Sequence, residues 1–138
     1  MKKLFLTAVL AALAFPACAE LVVVVNPKNP VASMTADQVA QVFLGRTSSF
    51  PGGGNATPVD QKEGTPLRDE FYTKVADKNP GQVKAYWAKQ MFSGKGSPPR
   101  ELGSSADVKH AVASDAGAIG YVEKSAVDSS VKAVLTVQ

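Results

Sequence analysis

The sequence predicts an α/β domain in which a mixed central sheet is flanked by helices. Leu21-Val22-Val23-Val24-Val25 is an unbroken apolar run, four later segments carry helical spacing behind capping signals, and short strand-like runs stand between them. Alternation of the two periods along one chain calls for both layers.

Residues 21–25 read as a strand buried on both faces, ended by Asn26-Pro27. Thr35 opens Thr-Ala-Asp-Gln, with Gln38 placed to complete a capping box, and Val39, Val42 and Phe43 form the apolar stripe of a helix that Gly45 stops. Residues 46–56 read as a Ser/Gly/Pro-rich loop whose Gly52-Gly53-Gly54 needs unusual backbone freedom. Residues 57–61 read as a second strand. Thr65 is placed to cap the next helix with Pro66 at its first position, and Leu67, Phe71 and Val75 give it a buried face. Asn79-Pro80 repeats that signal, and Val83, Tyr86, Trp87, Gln90 and Met91 follow helical spacing to a stop near Gly94, with the aromatic residues read as core. After a loop over 95–99, Ser105 is expected to cap a helix through Asp107, Val108, Ala111 and Val112, and residues 118–122 and 131–137 read as strands. The expected order is strand, helix, strand, three helices, strand, strand.

Residues 1–19 have the three parts of a secretory signal peptide. Lys2-Lys3 supply the positive start, the stretch from Leu4 to Phe15 is apolar, and Ala17-Cys18-Ala19 is a small-residue site with cleavage expected after Ala19. The apolar run falls short of the roughly 20 residues of a membrane span, and Phe15-Pro16-Ala17 is a poor context for lipidation at Cys18, which stays open as an alternative. The remaining chain, 20–138, is expected to be periplasmic or secreted with no membrane span. Cleavage removes Lys2 and Lys3 from 15 Lys and Arg, which leaves 13 against 12 Asp and Glu and a net charge of about +1. No cluster of basic residues remains to follow a phosphate backbone, so nucleic acid is not an expected partner. Cys18 is the only cysteine, so the exported domain depends on its packed core, for which its length suffices.

The sequence points to binding and not to catalysis. His110 is the single histidine, so neither a transition-metal site nor a Ser–His arrangement has support, and no serine stands in a Gly-x-Ser-x-Gly elbow. Gly52-Gly53-Gly54 lacks the Lys-Ser/Thr ending of a nucleotide loop. Asp60 and Glu63 are close enough in sequence to serve as paired carboxylates, with a solvated turn as the commoner explanation. No cofactor is expected. What remains is the junction at Gly64-Thr65, where a strand, a glycine and a helix start point several N–H groups at one spot favoured by an anion.

Several motifs recur in one order: Val24-Val25-Asn26-Pro27-Lys28-Asn29-Pro30, then Thr35-Ala36-Asp37-Gln38-Val39 with Val42-Phe43-Leu44-Gly45, then Gly64-Thr65 with Phe71, then Ala116-Gly117-Ala118-Ile119-Gly120-Tyr121-Val122. Together they resemble the phosphate-binding proteins of ABC uptake systems. The resemblance implies a single lobe of a type II periplasmic-binding-protein fold, since the chain matches only the second of two lobes. In the complete receptors an arginine and a Ser-Gly-Thr turn grip phosphate. Gly64 and Thr65 match the last two positions, Glu63 stands at the serine, and Val59 beside Asp60 replaces the arginine. Arg68 or Arg46 is then a candidate substitute, with surface pairing as the competing role of each, and Ser48 and Ser49 are candidate hydroxyl donors.

Two functions follow from these residues. The first is an exported module in which Gly64, Thr65, Arg68, Ser48, Ser49 and Arg46 bind a small phosphate-like anion weakly, alone or within an ABC transporter assembly. The second is an interaction module that keeps the fold without a ligand and uses the former cleft face against an envelope protein or a second copy.

Overall fold

The computed structural model describes residues 20–138, so the expected signal segment, its cleavage after Ala19 and Cys18 lie outside the described residues. The elements are β1 (Leu21–Val25), α1 (Ala36–Phe43), β2 (Thr57–Gln61), α2 (Pro66–Ala76), α3 (Pro80–Phe92), β3 (Arg100–Leu102), α4 (Ser105–Ser114), β4 (Ala118–Glu123), a short 3₁₀ turn (Lys124–Ala126) and β5 (Lys132–Val137). They build one five-stranded sheet in the order β3-β2-β4-β1-β5. β2 runs parallel to both β3 and β4, whereas β1 runs antiparallel to both β4 and β5. The sheet is therefore mixed, as the sequence predicts.

β1 shows why helices must cover both faces. Leu21, Val23 and Val25 point into a core with α1, α2 and α3, while Val22 and Val24 point into a second core with Val108 and Val112 of α4. All five residues are buried. Asn26 ends the strand with its side-chain amide donating to the carbonyls of Val112 and Ala113, at the C-terminal end of α4. At Gly120 on β4 a Cβ would lie 2.4 Å from Val108 Cγ1, so the seat of α4 on the sheet requires glycine there.

Several expectations are corrected. Arg100–Leu102 forms an edge strand where none was expected, because three residues are too few to display a period and two of them are charged. Ser104, not Ser105, caps α4, accepting from the N–H of Asp107. Residues 48–56 form a tight hairpin, with a Ser49–Asn55 bridge, glycines of positive φ at its tip and Phe50 buried beneath. Met91 is 55 % exposed and outside the core, since α3 buries only Val83 and Trp87. Asp60 is buried and no part of a solvated turn.

Candidate functional site

Helix placement gathers the site at one end of the sheet. The chain leaves β2 through α2 and α3 on one face to reach β3, then leaves β3 through α4 on the other face to reach β4 on the far side of β2. The C-terminal ends of adjacent β2 and β3 thus feed helices on opposite faces, the arrangement that opens a ligand crevice in α/β sheets. Both α2 and α4 begin there, so two positive helix ends converge.

The β2–α2 turn carries Glu63, Gly64 and Thr65. Gly64 holds φ +90, a conformation that side chains oppose and glycine allows. Thr65 takes the N-cap position but does not cap, because its hydroxyl donates backwards to the Lys62 carbonyl at 2.9 Å. The other three helices are capped by their own Thr35, Asn79 and Ser104 side chains. The N–H groups of Gly64, Leu67 and Arg68 have no protein acceptor among the described residues. Unmatched N–H groups at the start of a helix are the donors an anion takes.

Beneath the turn lies a buried polar cluster. The Asp60 carboxylate accepts from the hydroxyls of Tyr72 and Tyr121 and from the N–H of Gln61. Arg68 Nη1 stands 3.5 Å from Asp60 Oδ2 and donates to the Gln61 carbonyl at 3.0 Å and to Glu101 Oε1 at 2.8 Å, with its guanidinium over the Tyr72 ring. Glu101 Oε1 also accepts from the Glu63 N–H at 2.8 Å. Burial pushes the Asp60 carboxyl above its ordinary pKa, opposed by the hydrogen bonds from Tyr121 and Tyr72 and by the charge of Arg68. Burial and the Asp60 charge push both tyrosine hydroxyls up, so they remain protonated donors. Gln61 ties the crevice together, its amide donating to Ser105 Oγ at the start of α4 and to the Tyr121 carbonyl.

Gly64, Thr65 and Arg68 are therefore brought together, with Arg68 engaged by Asp60 and Glu101. Ser48, Ser49 and Arg46 are not brought to them. The Ser48 carbonyl accepts from Ala56 just before β2, and the strand that separates it from Gly64 is roughly 13–17 Å long. Ser48 lines a cavity of about 860 Å³ together with Thr57, Trp87 and His110. Arg46 lies over the Tyr86 ring. Sequence reasoning missed Tyr72, Tyr121 and Glu101 as partners of the turn. The spacing of Arg68 and Tyr72, one helical turn apart, was a usable signal for Tyr72 alone.

Comparison with solved structures places the fold. The chain is similar to an ABC-type phosphate transport receptor from Vibrio cholerae, with a TM-score of 0.66 and 20 % identity over 83 % of this chain and 45 % of the receptor. It is similar to a protein from Clostridium perfringens, assigned as a phosphate ABC transporter substrate-binding protein and solved with bound phosphate, with a TM-score of 0.65 and 26 % identity over 83 % of this chain and 44 % of that one. Its fold is that of one lobe of such a receptor. PstS from Borrelia burgdorferi is similar in fold at a TM-score of 0.63 and 10 % identity, covering 83 % of this chain and 46 % of PstS. The single lobe thus spans less than half the length of these receptors. No family model matches the chain, and no curated protein matches it. None of the described helices is long and apolar enough to cross a membrane.

Proposed function

We propose that this protein is an exported binding module that holds a small phosphate-like anion at the β2–α2 turn and serves an ABC-type transporter, with residues 1–19 as a signal peptide cleaved after Ala19. The observation that carries this reading is the uncapped start of α2. Its N–H groups stand without acceptors in the crevice where two helix ends meet, in a lobe with the fold of phosphate receptors. Gly64 shapes the turn, Leu67 and Arg68 offer backbone donors, and the Arg68 guanidinium supplies positive charge. Asp60 and Glu63 are negative neighbours, so the binding proposed is weak. The activity is binding alone, with no bond made or broken.

Isothermal titration tests the reading. Saturable heat is expected with inorganic phosphate at millimolar concentration. Gly64→Ala, which forces a side chain into a left-handed turn, is expected to weaken it by about tenfold. No heat with phosphate, sulfate or small carboxylates overturns the proposal.

A further inference from the structure

We propose that Glu101 is an internal occupant of this cradle, and that an incoming anion binds by displacing its carboxylate. The inference rests on the reading of the β2–α2 turn as an anion site and deepens it. One oxygen, Glu101 Oε1, takes both the Glu63 N–H and Arg68 Nη1, each at 2.8 Å. A backbone N–H and a guanidinium N–H converging on one negative oxygen is the donor set an external oxyanion takes.

The two sides of the site differ in freedom. Asp60 is 1 % exposed and held by Tyr72, Tyr121 and the Gln61 N–H, so it stays in place and keeps Arg68 with it. The Gln61 carbonyl and the Tyr72 ring hold Arg68 as well. Glu101 belongs to a three-residue edge strand and its side chain is 43 % exposed, so its carboxylate reaches water by rotation about its own side-chain bonds. Its departure leaves a positioned guanidinium and a free Glu63 N–H. Its presence sets a competition, in which the apparent affinity is reduced by the fraction of molecules whose cradle is filled. An approaching anion also repels the carboxylate it replaces.

Titration of inorganic phosphate into the parent, Glu101→Ala, Glu101→Gln and Glu63→Gln tests this. Glu101→Ala is expected to bind at least about tenfold tighter than the parent, because it frees two charge-assisted donors. Glu101→Gln, which keeps the length of the arm without its charge, is expected to fall between them. Glu63→Gln removes a carboxylate from the same neighbourhood without vacating the cradle and is expected to gain no more than about threefold. Equal affinity for Glu101→Ala and the parent, or an equal gain in Glu63→Gln, overturns Glu101 as the occupant while leaving the anion site standing. If none of the proteins binds phosphate, the anion site falls, and this inference with it.

Discussion

Replacing Asp60 with alanine is expected to cost about 3–5 kcal/mol of folding stability, read from urea or thermal unfolding. The carboxylate is the acceptor for the Tyr72 and Tyr121 hydroxyls and the Gln61 N–H, and it is the buried counter-charge of Arg68. Truncation leaves those donors facing one another in a space that water does not reach freely, with a guanidinium deprived of one of its two carboxylates. A loss below about 1 kcal/mol would mean that the cluster is not formed as described.

Asp60 also sets a pH dependence. Burial raises its pKa above the ordinary 3.8 in the folded protein, so the native state binds this proton more tightly than the unfolded chain does. Its contribution is fully present below the unfolded value and is lost as pH rises through the folded one. The midpoint temperature is therefore expected to fall as pH rises above 3.8, by a component that Asp60→Asn removes. A profile unchanged by that substitution contradicts the assignment.

Phe71→Ala is expected to cost about 3–5 kcal/mol, comparable to the loss at Asp60 but by a different route. The Phe71 ring lies flat against Tyr121, with centroids 4.0 Å apart, and meets Phe43 and Tyr72 edge-on. It is fully buried at the junction of α2, α1 and the sheet. Removing it opens a cavity and releases both tyrosines that hold Asp60. The losses at Phe71 and Asp60 are consequently expected to be non-additive by more than about 0.5 kcal/mol in a double-mutant cycle. Strict additivity would show that the aromatic core and the polar cluster do not support each other. Phe71→Leu, which retains apolar volume, is expected to lose less than Phe71→Ala.

Asp60 and Phe71 mark the boundary of what the sequence made legible. Phe71 was visible because Leu67, Phe71 and Val75 repeat at helical spacing, and one face of α2 buries those residues. β1 was visible because five consecutive apolar residues leave no face for water. Asp60 reads in sequence as part of a solvated turn because a carboxylate near a glycine is ordinarily solvated. The partners that bury it, Tyr72 and Tyr121, lie 12 and 61 residues away and meet it only through packing. Glu101 was out of reach for the same reason, compounded by an edge strand too short to announce itself. Thr65 was placed at the right position with the wrong bond, since capping residues and backward-bonded turn residues share one composition. Ser48, Ser49 and Arg46 carry the donor chemistry that the Gly64 turn lacks in sequence, whereas the length of β2 separates them from it.

Amide resonances followed during titration with inorganic phosphate decide whether the start of α2 is the anion site proposed for this lobe. The N–H signals of Glu63, Gly64, Leu67 and Arg68 are expected to shift together and saturate, while those of the 48–54 hairpin stay in place. Saturating shifts in that hairpin or around His110, with the start of α2 unmoved, would contradict it.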